Sequence, residues 1–156
     1  MDLVRALARP MLGSMFVLGG IDALRNPEAK VPKAENVVSG LGVSLGLPGD
    51  TATLVRLNGA VQVAAGVALA AGKFPRAAAL ALAASLVPTT LAGHPYWQES
   101  ETPARAMQRI QFFKNVSMLG GLILAADDTG GRPSIPWRIH EAVDHARDGL
   151  PHAIHV

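Results

Sequence analysis

The chain has 156 residues, a formal net charge of +2 at pH 7 and no cysteine. That length suits one domain with a real core, and the missing thiols exclude disulfides, thiolate catalysis, iron–sulfur clusters and cysteine-type zinc sites. Charged residues make up 17%, below the roughly 25% of soluble domains, and the basic residues are scattered, which argues against nucleic acid as a partner.

Four long, weakly charged segments follow in chain order. The first covers about 3–24, with Arg5 and Arg9 near its start and Asp22 near its end. A basic start before an apolar run resembles a signal peptide. No small-x-small cleavage site follows, however, and Asp22 and Arg25 close the run, so a retained first helix is expected. The connection 25–51 is long and holds Pro27, Pro32 and Pro48. Its middle, NVVSGLGVSLGL, is too short to span a membrane and reads as an interfacial or lid-like piece. The second segment, 52–72, is interrupted only by Arg56, and KFPR at 73–76 reads as a tight turn. The third, 77–93, has no charge. Pro88 within it removes a backbone donor, frees the carbonyl of Ala84 and predicts a kink. The linker 94–109 carries Tyr96 and Trp97, which fit an aromatic belt at a membrane–water boundary. The fourth segment, 110–126, has Lys114 as its single charge. The polar tail offers one short amphipathic helix, WRIHEAVDHARDGL, with Trp137 as an interfacial anchor.

Each segment reaches about the 20 residues that a helix needs to cross ~30 Å of hydrocarbon. A soluble bundle would show polar stripes facing water, and stretches such as VQVAAGVALAAG have none. No period-two alternation suggests barrel strands. The expected fold is all-α: a bundle of four transmembrane helices over 1–126, with a long first loop, then a polar tail over 127–156. Gly13 and Gly20 are seven apart, as are Gly59 and Gly66, and Ser117 and Gly121 are four apart. Small residues on one face let helix backbones approach closely in lipid.

Alternating helices bring polar residues to one side: Asp22, Arg56, Asn58, Gln62, Thr89, Thr90, His94, Gln111, Lys114 and Asn115. The opposite rim carries Arg5, Arg9, Lys73 and Arg76 with little polar inside. Asn58 and Gln62 are four apart, as are Thr90 and His94, a spacing at which side chains converge. Lys114 has two readings. It snorkels to water from near a helix end, or it faces an inner pocket, pairing with Asp22 or a ligand. The balance of Lys and Arg leans to both termini on the cytoplasmic side.

No P-loop, nucleotide fingerprint, HExxH motif or nucleophile elbow is present. Ser14, Ser85 and Ser117 read as packing or backbone-bonding residues. In the tail, His140 with Asp144 and Glu141 with His145 share zinc-like spacing, followed by His152 and His155. The solvated face of an amphipathic helix has the same pattern, so no metal is expected. His94 is the one histidine near an apolar segment, whereas a bis-His haem needs two. No intrinsic cofactor is expected.

RPMLGSMFVLGGIDAL, with Arg9, Gly13, Phe16 and Gly20, resembles the opening of the DoxX family. LNGAVQVAAGVAL resembles its second helix, and AGHPYW and FFKNVSMLGGLIL resemble its last two. Gln62 stands where relatives, so aligned, carry Glu. The resemblance implies a small four-helix membrane protein linked to quinone, sulfur or oxidative-stress chemistry, and the Ala, Arg and Pro content of the tail suggests a high-GC bacterium, so a bacterial inner membrane is the expected location. One reading is a membrane subunit of a redox assembly, with a quinone or lipid headgroup hydrogen-bonded by Lys114, Asn115, His94 and Gln62 and electrons supplied by a partner. Tyr96 or Trp97 would line its mouth. The others are a non-catalytic scaffold for partner proteins and a small transporter. An inverted repeat, common in transporters, is not evident. Expected partners are lipids and other chains of a membrane complex or a second copy.

Overall fold

The structure, a computed structural model, describes residues 3–42, 50–129 and the isolated positions 141, 143 and 144. Five α-helices are described: α1 (Leu3–Arg25), α2 (Val31–Val37), α3 (Thr51–Ala70), α4 (Pro75–Gly93) and α5 (Thr102–Asp127). The described residues contain no strand. Trp137 and the tail histidines lie outside the described residues, and Glu141, Val143 and Asp144 are helical.

Two connections differ from expectation. The stretch 25–51, expected as a long loop, is largely helical through Gly42. A 3-10 turn over Glu28–Lys30 leads into α2, which continues as one wide π-type turn, Val38–Gly42. Pro32 sits in the first turn of α2, where a missing N–H costs nothing, and good helix formers follow it. α2 packs on α4 and α3. The linker 94–109 is likewise half helical. α5 begins at Thr102 with Pro103 in its first turn, leaving a short connection with a 3-10 turn at Tyr96–Gln98.

The helix ends follow from local chemistry. Asp50 caps α3, its carboxylate accepting from the Ala52 and Thr53 backbone amides. The Thr53 hydroxyl and amide hold the Asp50 carboxyl below the usual carboxylate range. α3 ends at Gly72, with φ +67°, in a paired motif: the Gly72 amide donates to the Leu69 carbonyl at 3.0 Å and the Lys73 amide to the Ala68 carbonyl at 2.8 Å. Phe74 follows with φ 48° and Pro75 opens α4, so KFPR is indeed a tight reversal.

The four long helices pack side by side in the order α1, α3, α4, α5, with a small contact between α5 and α1. The α1–α3 seam is antiparallel and built on glycine. A Cβ at Gly13 would lie 2.6 Å from the Gly66 carbonyl oxygen, and one at Gly20 would lie 2.6 Å from that of Gly59. No other residue lets these backbones come so close. Phe16, Leu69, Ala79, Leu82, Leu86 and Leu122 fill the centre. At the end where α1 starts and α5 finishes, Arg5 Nε lies 2.8 Å and Arg9 Nη2 3.2 Å from Asp128 Oδ2. Arg76 Nε donates to the Ala126 carbonyl at 2.8 Å. Three guanidinium groups thus meet the negative end of α5.

Among the described residues, three segments are long and apolar enough to cross a membrane: Leu3–Arg25, Thr51–Ala70 and Pro75–Gln98. α5 is the longest helix but is not among them, because Gln111, Lys114 and Asn115 dilute its apolar run. The outer surface is rich in large apolar side chains: Leu3, Met11, Leu18, Leu57, Leu80, Ile110 and Leu124 are all more than half exposed. In water so much exposed apolar area would be a liability; in lipid it is the ordinary outer face.

Candidate functional site

The polar groups on one side of the helices do not form a single cluster. At the rim, Asp22 accepts from Lys30 Nζ and from Asn26 Nδ2, and Arg56 Nη2 reaches Glu28 Oε1 at 3.4 Å. Both pairs are exposed. The residues that set them up lie in the segment around α2, which brings Glu28 and Lys30 back to the ends of α1 and α3. His94 Nδ1 lies 2.7 Å from Gln108 Oε1, linking the end of α4 to α5. Beside it, Tyr96 packs edge-on against Trp97 and Phe112, with ring centroids 5.2 and 5.4 Å away.

Lys114 is exposed, and its ammonium donates to Gln111 Oε1 one turn back on its own helix. The pairing with Asp22 that the sequence allowed is therefore not made. The side chain points toward the start of α5, the direction helix side chains favour, and toward the aromatic cluster.

Between them, α3 and α4 share a network of neutral groups that runs from the exposed Thr89 and half-buried Asn58 to the buried Gln62 and Ser85. Asn58 and Gln62 on α3 face Ser85 and Thr89 on α4. Thr89 Oγ1 and the Ser85 carbonyl oxygen are 2.7 Å apart, so a proton must lie between them, and only the hydroxyl can supply it. Thr89 Oγ1 is then left as an acceptor, and Asn58 Nδ2 donates to it at 3.2 Å. That turns Asn58 Oδ1 to Ser85, whose hydroxyl donates to it at 2.8 Å. Ser85 Oγ can now only accept, from Gln62 Nε2 at 3.0 Å, with a longer second bond from the same nitrogen to Thr89 Oγ1 at 3.5 Å. One threonine bond to the backbone thus orients two amides. The same device operates between α4 and α5. Thr90 Oγ1 donates to the Leu86 carbonyl at 2.7 Å, so Asn115 Nδ2 donates to Thr90 Oγ1 at 3.0 Å. Gln62, Ser85, Thr90 and Asn115 are all buried, and among the described residues no charged side chain is.

Of the residues read as polar-layer candidates, the structure joins Asn58 with Gln62, and Thr90 with Asn115. His94 stands apart with Gln108, and Lys114, Asp22 and Arg56 are on the surface. Ser85, expected as a packing or backbone-bonding residue, bonds the side chains of Gln62 and Asn58 instead. Its signal was available: Ser85 and Thr89 are four apart on α4, as Asn58 and Gln62 are on α3.

Long helices with apolar side chains outward and neutral amides and hydroxyls paired inside define a helical integral membrane protein. The DoxX family model matches residues 4–95, more than half of the chain, and the chain belongs to the DoxX family. The match runs from α1 to the end of α4 and stops before α5. No curated protein and no solved structure matches.

Proposed function

We propose that this chain is the non-catalytic, membrane-embedded subunit of a redox-linked assembly in a bacterial inner membrane, holding partner proteins at the bilayer. The observation that carries this reading is the interior. Its buried polar side chains are neutral and bind one another across α3, α4 and α5, while the charged groups stand at the two rims. Such an interior fixes helices, and among the described residues it buries no charged side chain. Redox chemistry then belongs to partners, and the redox link itself rests on family membership.

In this reading α5 crosses the bilayer as a fourth span, with Lys114 reaching the boundary marked by Tyr96, Trp97 and Phe112. The exposed polar start of α5 and the polar tail face the aqueous sides, where partners bind. A quinone or headgroup in the polar layer would need a group turned away from the network. Lys114, His94, Asn115 and Gln62 do not converge on one point, which favours the anchoring role.

The test is purification from native membranes in mild detergent, with mass spectrometry of chains and small molecules together. The full chain, a chain ending at residue 129 and the Lys114→Ala variant are compared. The expected result is a flavin, haem or thiol-redox enzyme that co-purifies with the full chain and with Lys114→Ala. A stoichiometric quinone with no partner chain, lost in Lys114→Ala, would overturn the anchoring reading.

A further inference from the structure

At the rim where α1 starts and α3 and α5 end, positive charge exceeds the carboxylates that answer it. Among the described residues, Arg5, Arg9, Lys73 and Arg76 stand there against Asp127 and Asp128. Asp128 takes both Arg5 and Arg9, and Arg76 is turned to the Ala126 carbonyl. Lys73 is exposed, and its ammonium has no partner among the described residues. Its place is set by its own amide, which donates to the Ala68 carbonyl. Arg9 reaches across to the same turn, because a Cβ at Gly72 would lie 3.3 Å from Arg9 Nη1. The left-handed glycine that ends α3 therefore sets a guanidinium beside an ammonium. Next in the chain, Phe74 is 83% exposed, an aromatic ring suited to the boundary of a bilayer.

An open groove of about 500 Å³ between α1 and α3 leads away from this pair. Its walls include Pro10, Ser14 and Leu18 of α1 and Val67, Ala70 and Ala71 of α3. The wall on α1 extends roughly 12 Å. Pro10 follows Arg9 and Ala71 precedes Gly72, so the groove begins at the two cations. The one hydroxyl on its walls, that of Ser14, already donates to the Met11 carbonyl of its own helix at 2.9 Å. We propose that the groove and the cations at its mouth bind an anionic phospholipid, one acyl chain lying along α1 and the phosphate resting against Lys73 and Arg9. The apolar walls call for a hydrocarbon chain, which every membrane lipid carries, so the choice among lipids falls to the headgroup. The surplus of positive charge selects one with net negative charge. The site lies at the opposite end of the bundle from Gln62 and Lys114, and it does not depend on the anchoring role.

The probes are palmitoyl-oleoyl phosphatidylglycerol and the phosphatidylcholine with the same chains, titrated onto the full chain in mild detergent and read by native mass spectrometry. The phosphatidylglycerol is expected to bind about tenfold more tightly, as two surface cations acting on one negative charge allow. Lys73→Gln should lower that preference about fivefold. Lys33→Gln makes the same charge change on exposed α2 at the other rim and should leave the preference within about twofold. Ser14→Phe fills the groove at an exposed position without altering charge, and should weaken the first bound phosphatidylglycerol at least about fivefold. Equal binding of the two lipids, an equal loss in Lys73→Gln and Lys33→Gln, or unchanged binding in Ser14→Phe would overturn the site. Displacement of the lipid by an equal concentration of glycerophosphate would overturn it too, since a free phosphate ester makes no use of the groove.

Discussion

The glycine seam between α1 and α3 gives the sharpest test, because the same substitution should have opposite signs at two sites. Gly20→Ala places a methyl 2.6 Å from the Gly59 carbonyl oxygen and 2.9 Å from Val63 Cγ2. The oxygen belongs to the backbone and cannot rotate aside. To restore ordinary contact near 3.4 Å, the helices must part locally by about 0.8 Å. Overpacking of this kind costs roughly 1–3 kcal/mol, against which alanine returns up to ~1 kcal/mol of helix propensity. At Gly120, on the exposed face of α5, an added Cβ meets nothing within 4 Å. There the propensity gain stands alone, so Gly120→Ala should stabilise by about 0.5–1 kcal/mol. The absence of cysteine makes the assay clean. Single thiols introduced at exposed positions of α1 and α3 carry a fluorescent pair, and energy transfer follows helix separation through a detergent titration. If Gly20→Ala holds together as well as Gly120→Ala, the close approach is not what binds α1 to α3.

Other outcomes follow from the same contacts. Thr89→Val removes the acceptor and the starting proton of the α3–α4 network; because Thr89 is exposed and Gln62 keeps Ser85, the cost should be roughly 0.5–1.5 kcal/mol, and Thr89→Ser should restore most of it; the same titration reads both. Asp128→Asn should loosen the Arg5–Arg9 clasp by about 1 kcal/mol and abolish its salt dependence, seen as faster proteolysis beyond α5. Asp50 titrates below the usual range when folded, so its cap is fully present above the unfolded value and fades as pH falls through the lowered one. Hydrogen exchange at the Ala52 and Thr53 amides should therefore rise, relative to the Asp50→Asn variant, below about pH 4. Lys114→Met should change stability by less than about 0.5 kcal/mol, since the exposed ammonium bonds Gln111 alone among the described residues.

Sequence pattern carried the helices but not all of their partners. The 3.6-residue period and the spacing of Gly13, Gly20, Gly59 and Gly66 are local facts, and in the structure they are one seam. Arg9, Gly13, Phe16 and Gly20, which carried the family resemblance, proved to be a clasp residue, two seam glycines and a buried ring. The partners of Asp22 and Arg56 were not legible, because Lys30 and Glu28 lie in a stretch whose proline content read as loop. α2 forms there since Pro32 falls in a first turn, a distinction of a residue or two. The polar layer looked single because helix direction assigns height, not azimuth. Lys114 and Asn115 are adjacent in sequence and about 100° apart around α5, so one faces out and the other in.

The clasp at Asp128 has a consequence for biosynthesis. It joins the first turns of α1 to a residue 123 positions later, just past the end of α5. The seam between α1 and α3 can close once α3 has emerged, but Arg5 and Arg9 must wait until almost all of the helical chain has been made. During that interval their charges lie at the membrane surface without this counterion. The order of synthesis thus makes the start of α1 wait for the end of α5, and closure of the clasp reports that α1 to α5 have all been made.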